Sequence, residues 1–68
     1  MTGIELKQAR QSLGLTLDQL GAMVGLAPSD HRRGAVSKME TGKKPISDAR
    51  RRLVDAYLAG YRPPDWPQ

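Results

Sequence analysis

Three local signals coincide between Leu15 and Leu20, and they restrict the fold of these 68 residues more than any other feature. Thr16-Leu-Asp-Gln19 has the spacing of a capping box, in which the threonine hydroxyl and the glutamine side chain satisfy N–H groups that a helix start leaves unpaired. Leu15 and Leu20 stand at the two positions of a hydrophobic staple around it. A helix from Leu17 to about Val24 follows, stopped by Gly25. Gly21 in its middle costs up to ~1 kcal/mol against alanine, which points to close approach by another helix.

The same signs recur along the chain. Thr2-Gly-Ile-Glu5 is a second capping box and opens a helix from about Gly3 to Leu13, burying Leu6, Ala9 and Leu13 with Ile4 partly covered; Gly14 ends it. A third helix contains Val36 and Met39, three apart and so inward together, and ends at Gly42 before Lys43-Lys44-Pro45. Its start falls anywhere from Ser29 to Arg33, because Pro28, Ser29 and Asp30 all suit a helix start. Ser47 caps a fourth helix to about Ala59, with Asp48 at its positive end. That helix is expected to bury Ala49, Leu53, Ala56 and Tyr57, and Gly60 closes it. Nothing alternates with period two, so the fold class is all-α: one domain over residues 1–60 and an extended tail over 61–68 with three prolines.

A chain this short buries only roughly 60% of its unfolded surface. With no cysteine, neither disulfides nor thiolate metal sites supplement the core, which leaves dimerisation or a ligand that binds only the folded form. His31 is the single histidine, no carboxylate pair sits in a plausible pocket, and so neither enzyme chemistry, a metal site nor a cofactor is expected. No apolar run approaches the ~20 residues of a membrane span, and no basic-then-apolar leader is present, so a cytoplasmic protein without membrane contact is expected. Charge is unevenly placed. Residues 32–52 hold eight of the eleven basic side chains against Glu40 and Asp48, a net +6, while the rest of the chain carries −2. A concentrated basic face suits a polyanion, unless it is merely a solvated face.

Leu15-Thr-Leu-Asp-Gln-Leu20, then Gly25, then Val36-Ser-Lys-Met-Glu-Thr-Gly42 resembles the Cro/cI-type (XRE-like) helix-turn-helix family, and Leu6-Lys-Gln-Ala-Arg10 with Leu13-Gly-Leu-Thr16 extends the likeness over about residues 4–58. The resemblance implies a compact lambda-repressor-like domain of four helices, or five if the family's last one is kept, although that helix has no evident counterpart here. It implies that the third helix enters the major groove while the second braces it on the backbone. Arg33, Gly34, Ser37 and Lys38 then face base edges, Thr16, Gly42, Lys43 and Lys44 lie at phosphates, and Arg10 pairs with Glu40 as a structural salt bridge. Arginine or lysine suits guanine, whose O6 and N7 accept two hydrogen bonds.

Three departures from the family pattern stand out. Leu17 replaces a phosphate-contacting glutamine, and Met39 replaces a tryptophan or leucine. Gly25 to Glu40 spans fifteen positions where the family uses about ten, so five extra residues lie within Leu26 to Arg32. Either the third helix gains a turn or the connection becomes a loop bearing Asp30, His31 and Arg32; both push His31 and Arg32 toward bases. The resemblance thus implies a sequence-specific repressor of double-stranded DNA, from a phage or mobile element by its size, binding an inverted-repeat operator as a homodimer and occluding a promoter. Dimer contacts are expected from Val54, Leu58, Tyr61 and Trp66, unless Tyr61 and Trp66 fold back over their own core. The alternative is an antitoxin or adaptor that uses the same scaffold to bind a protein.

Overall fold

The computed structural model describes residues 1–67, and its regular structure is four helices: α1 (Gly3–Ser12), α2 (Leu17–Met23), α3 (Arg32–Glu40) and α4 (Asp48–Leu58). Both capping boxes form. Thr2 and Thr16 accept the N–H of Glu5 and Gln19 at 3.1 Å, and the Glu5 and Gln19 side chains accept the cap N–H groups in return. Ser47 caps α4 by accepting the N–H of Arg50. Only α3 starts without a side-chain cap: His31 precedes it in right-handed helical geometry. Gly14, Gly25, Gly42 and Gly60 all have positive φ, the conformation that lets a helix end and the chain turn away.

The core is Leu6 and Ala9 of α1, Leu15, Leu20, Met23 and Val24, Val36 and Met39 of α3, and Val54 and Tyr57 of α4. α3 packs against both α2 and α1, while α4 leans on α1. Gly21 has the close contact expected of it: a Cβ there would lie 2.5 Å from Arg32 Cγ and 3.3 Å from Val36 Cγ2. Gly3 is equally tight, since a Cβ would fall 2.3 Å from the Glu40 carbonyl oxygen. The first turn of α1 therefore sits directly on the last turn of α3.

Three expectations are corrected. Ile4 is exposed, because its position faces away once Leu6 and Ala9 fix the buried side of α1. The inner face of α4 is Val54 and Tyr57; Ala49 and Leu53 are exposed and Ala56 is half-buried. The cause is Arg50, whose Nε donates to the Val24 carbonyl at the end of α2, 3.2 Å away. Its stem lines the core beside Ile46 and Val54, an arginine acting as an apolar wall with a polar tip. Residues 50, 54 and 57 thus share the buried stripe, and Val54, fully buried, is not available for a dimer contact.

The tail follows α4 back onto the domain. Trp66 packs edge-on against Tyr57 with ring centroids 5.1 Å apart, and the Arg62 guanidinium lies 4.2 Å from the Trp66 ring centroid. Arg62 also donates to the Tyr57 and Tyr61 carbonyls, closing the end of α4. Tyr57 in turn donates its hydroxyl to the Met23 carbonyl. Trp66 is half-buried on its own subunit, whereas Leu58 and Tyr61 remain exposed. Gln68, the last residue of the expected tail, lies outside the described residues.

Candidate nucleic-acid interface

Arg10 and Glu40 meet at the base of α3. Arg10 Nε donates to Glu40 Oε2 at 2.7 Å and Nη2 to Oε1 at 3.3 Å, a two-point fork, while Nη1 donates to the Leu15 carbonyl at 3.1 Å. The two side chains are only 15% and 6% exposed. One ion pair therefore joins α1, the α1–α2 turn and the far end of α3.

Above that base, α3 turns one stripe of side chains outward. Arg33, Gly34 and Lys38 are exposed and Ser37 is half-buried, as positions 33, 34, 37 and 38 of a helix whose inner face is Val36 and Met39 require. Arg33 stands between two open depressions, one lined by Arg10, Thr16, Leu17 and Asp18, the other by Leu17, Asp30, Gly34 and Ser37. Leu17 walls both, so an apolar side chain adjoins Arg33 where the family carries glutamine. Gly34 leaves its surroundings open: a Cβ there meets nothing within 4 Å.

The end of α3 is tightly turned. The N–H groups of Lys43 and Lys44 both donate to the Lys38 carbonyl, at 2.9 and 3.2 Å, across Gly42 with φ +81°. This fold-back holds two exposed lysines beside the last turn of the helix. Thr16 is exposed at the start of α2, its hydroxyl oxygen already accepting from Gln19. Thr16, Arg33, Lys38, Lys43 and Lys44 are all exposed, and Thr16 and Arg33 line one depression. Among the described residues the four basic ones make no ion pair.

Leu26 to His31 form an irregular turn, and α3 begins at Arg32. His31 is exposed, with its N–H on Ser29 Oγ. Arg32 departs from the expected base-facing role. It lies four residues before Val36, hence on the inner face, and its guanidinium is taken by Asp18: Nε to Oδ1 and Nη2 to Oδ2, both at 2.9 Å. Asp18 was not among the expected site residues. Its pairing with Arg32, fourteen positions later and on another helix, becomes evident only with the packing in hand. The Arg32 hydrogen bonds hold the Asp18 carboxyl below its ordinary range, and Asp18 raises the Arg32 guanidinium in return.

Of the Arg50–Arg52 run, Arg50 is committed to Val24, Arg51 pairs with Asp55 at 3.0 Å, and Arg52 is exposed. Among the described residues no helix is long and apolar enough to cross a membrane. Comparison with known proteins agrees with the geometry. A helix-turn-helix family model matches residues 6–50, about two thirds of the chain. No curated protein and no solved structure matches it. The matched span contains both helices of the motif, the outward stripe of α3 and the Arg10–Glu40 pair beneath it. The chain belongs to the Cro/cI-type (XRE) helix-turn-helix family of DNA-binding transcription regulators.

Proposed function

We propose that the protein is a sequence-specific repressor that reads double-stranded DNA with α3 and occludes a promoter by binding an inverted repeat as a homodimer. The observation that carries the reading is the outward stripe Arg33, Gly34, Ser37 and Lys38, with Lys43 and Lys44 following it, all engaged in no ion pair among the described residues. Arg33 and Lys38 carry donors suited to guanine O6 and N7, and Gly34 lets the α3 backbone come close to a base edge. Lys43, Lys44 and Thr16 take phosphates on either side, which fixes register without reading sequence. Leu58 and Tyr61 are the apolar side chains left exposed at the end of α4 for a second subunit.

Footprinting on the promoter of the protein's own operon tests this directly. Protection of two half-sites one helical turn apart is the expected result. Arg33→Ala should then cost about 1–3 kcal/mol and relax preference at one base pair. Lys43→Ala should weaken all sequences alike and lower the salt slope by about one. Salt-insensitive capture of a protein partner, with no duplex protected, would instead establish an antitoxin or adaptor. A monomer in sedimentation at the concentrations that protect DNA would remove the dimer while leaving DNA binding in place.

A further inference from the structure

We infer that Asp18 and Arg32 are positioning residues for DNA recognition: their ion pair sets α3 against α2 across the long turn and masks an acid at the phosphate-facing edge. The inference rests on the DNA-reading role of α3 proposed above.

The turn itself gives α3 little register. Between Leu26 and Arg32 the backbone closes one hydrogen bond among the described residues, from the Arg32 N–H to the Ser29 carbonyl at 3.2 Å. Among the described residues no side chain caps α3. The orientation of the helix is supplied by the side chain of its first residue. Arg32 is held at the start of α2 by both oxygens of Asp18, in the middle of α2 by the absent side chain of Gly21, and at the turn by the Leu26 carbonyl, 3.3 Å from Nη1. These are three points on two elements, enough to fix a rigid arm. The planar guanidinium matches both carboxylate oxygens at once, which a lysine cannot do.

The second task concerns charge. Asp18 is half-exposed and lines the same depression as Thr16 and Arg33, where DNA phosphates would approach. A bare carboxylate there repels them. Arg32, 13% exposed, cancels that charge from the inner side without reaching the outer surface. Arg32 thus strengthens binding while contacting no DNA.

The test uses the full chain and the duplex recovered by the wild type from a randomised pool, at a temperature where circular dichroism shows every variant folded. Arg32→Ala and Arg32→Lys should each lose about tenfold or more in affinity, the size of effect that a coupled residue away from the ligand can exert, with the salt slope unchanged. Asp18→Ala/Arg32→Ala should bind more tightly than Arg32→Ala, because the unmasked acid is gone. A salt slope lower by about one for Arg32→Ala, with Arg32→Lys near wild type, would make Arg32 a phosphate contact and overturn the inference. Relaxed preference confined to one base pair would make it a base contact and overturn it equally. Unchanged affinity of the folded variants, with only their melting lowered, would reduce the pair to a stability device. A wild type that selects no duplex would overturn the proposed function and this inference together, an outcome distinct from all of these.

Discussion

Removing one partner of the Arg10–Glu40 pair should come close to unfolding the protein, whereas removing both should not. The fork is short, and the two side chains keep only 15% and 6% of their exposure, so Glu40→Leu leaves a guanidinium with no counter-charge in a nearly dry position. Breaking a buried pair in this way costs about 3 kcal/mol. A 68-residue domain has only about 3–10 kcal/mol in total, and in this size range each kcal/mol moves the melting midpoint by about 4–8 °C. Each single variant should therefore melt about 12–24 °C below wild type. Arg10→Met is the worse of the two, because it also strands the Leu15 carbonyl, worth about 1 kcal/mol more. Arg10→Met/Glu40→Leu replaces both charges with apolar groups and should return to within about 1 kcal/mol of wild type, the remaining deficit being that carbonyl. Thermal and urea unfolding followed by far-ultraviolet circular dichroism measure all four corners of the cycle. A double variant no more stable than either single one would show that the two charges do not compensate each other, and the reasoning would fail.

Two glycine substitutions should act in opposite directions: Gly21→Ala forces Arg32 and Val36 apart and should destabilise by about 1–3 kcal/mol despite its gain in helix propensity. Gly34→Ala meets nothing and should raise stability by about 0.5–1 kcal/mol while weakening operator binding, since a methyl then stands between α3 and the bases. Asp18 and Glu5 are both held below their ordinary values, Asp18 by hydrogen bonds from Arg32 and Glu5 by the Thr2 backbone N–H. Depressed carboxylates contribute stability that is present above the unfolded value of about 4 and lost as pH falls through the folded one, so the melting midpoint should drop on acidification, less steeply in Asp18→Asn. Burial pushes the Tyr57 hydroxyl up, with Asp65 and Tyr61 adding to it. That contribution is complete below the unfolded value of about 10 and lost as pH rises through the folded one, so Tyr57→Phe should show a shallower alkaline decline in melting midpoint.

Much of this fold is legible because its signals are local. A hydroxyl three residues before a glutamate or glutamine, or a glycine after a run of apolar residues, encodes a helix end whatever the rest of the chain does, and α1, α2 and the close of α3 follow from such pairs. The face of α4 is not legible in the same way. Leu53 is more apolar than Arg50, yet Arg50 takes the inner position because the end of α2 offers its guanidinium a free carbonyl. Arg32 misleads for a related reason. In a sequence it reads as one of two adjacent arginines, Arg32 and Arg33, and only the inward setting of Val36 separates the one facing Asp18 from the one facing out. Arg10 and Glu40 also pair across helices, but there the likeness to the family names both partners; nothing in the sequence names Asp18 for Arg32 or the Val24 carbonyl for Arg50.

The missing cap on α3 has a consequence for the order in which the structure opens. α1, α2 and α4 each carry a start signal within their own sequence, but α3 exists because Arg32, Val36 and Met39 have neighbours to hold. Among the described residues the N–H groups of Arg33 and Gly34 find no acceptor, so their amides should exchange with solvent on the timescale of local fraying. Those of Met39 and Glu40, in the last turn but packed beneath the start of α1, should wait for global unfolding. The start of α3 would then be the last part of the helix to order during folding and the first to loosen. A bound duplex would leave its clearest exchange signature at Arg33 and Gly34, as new protection where the free protein has almost none.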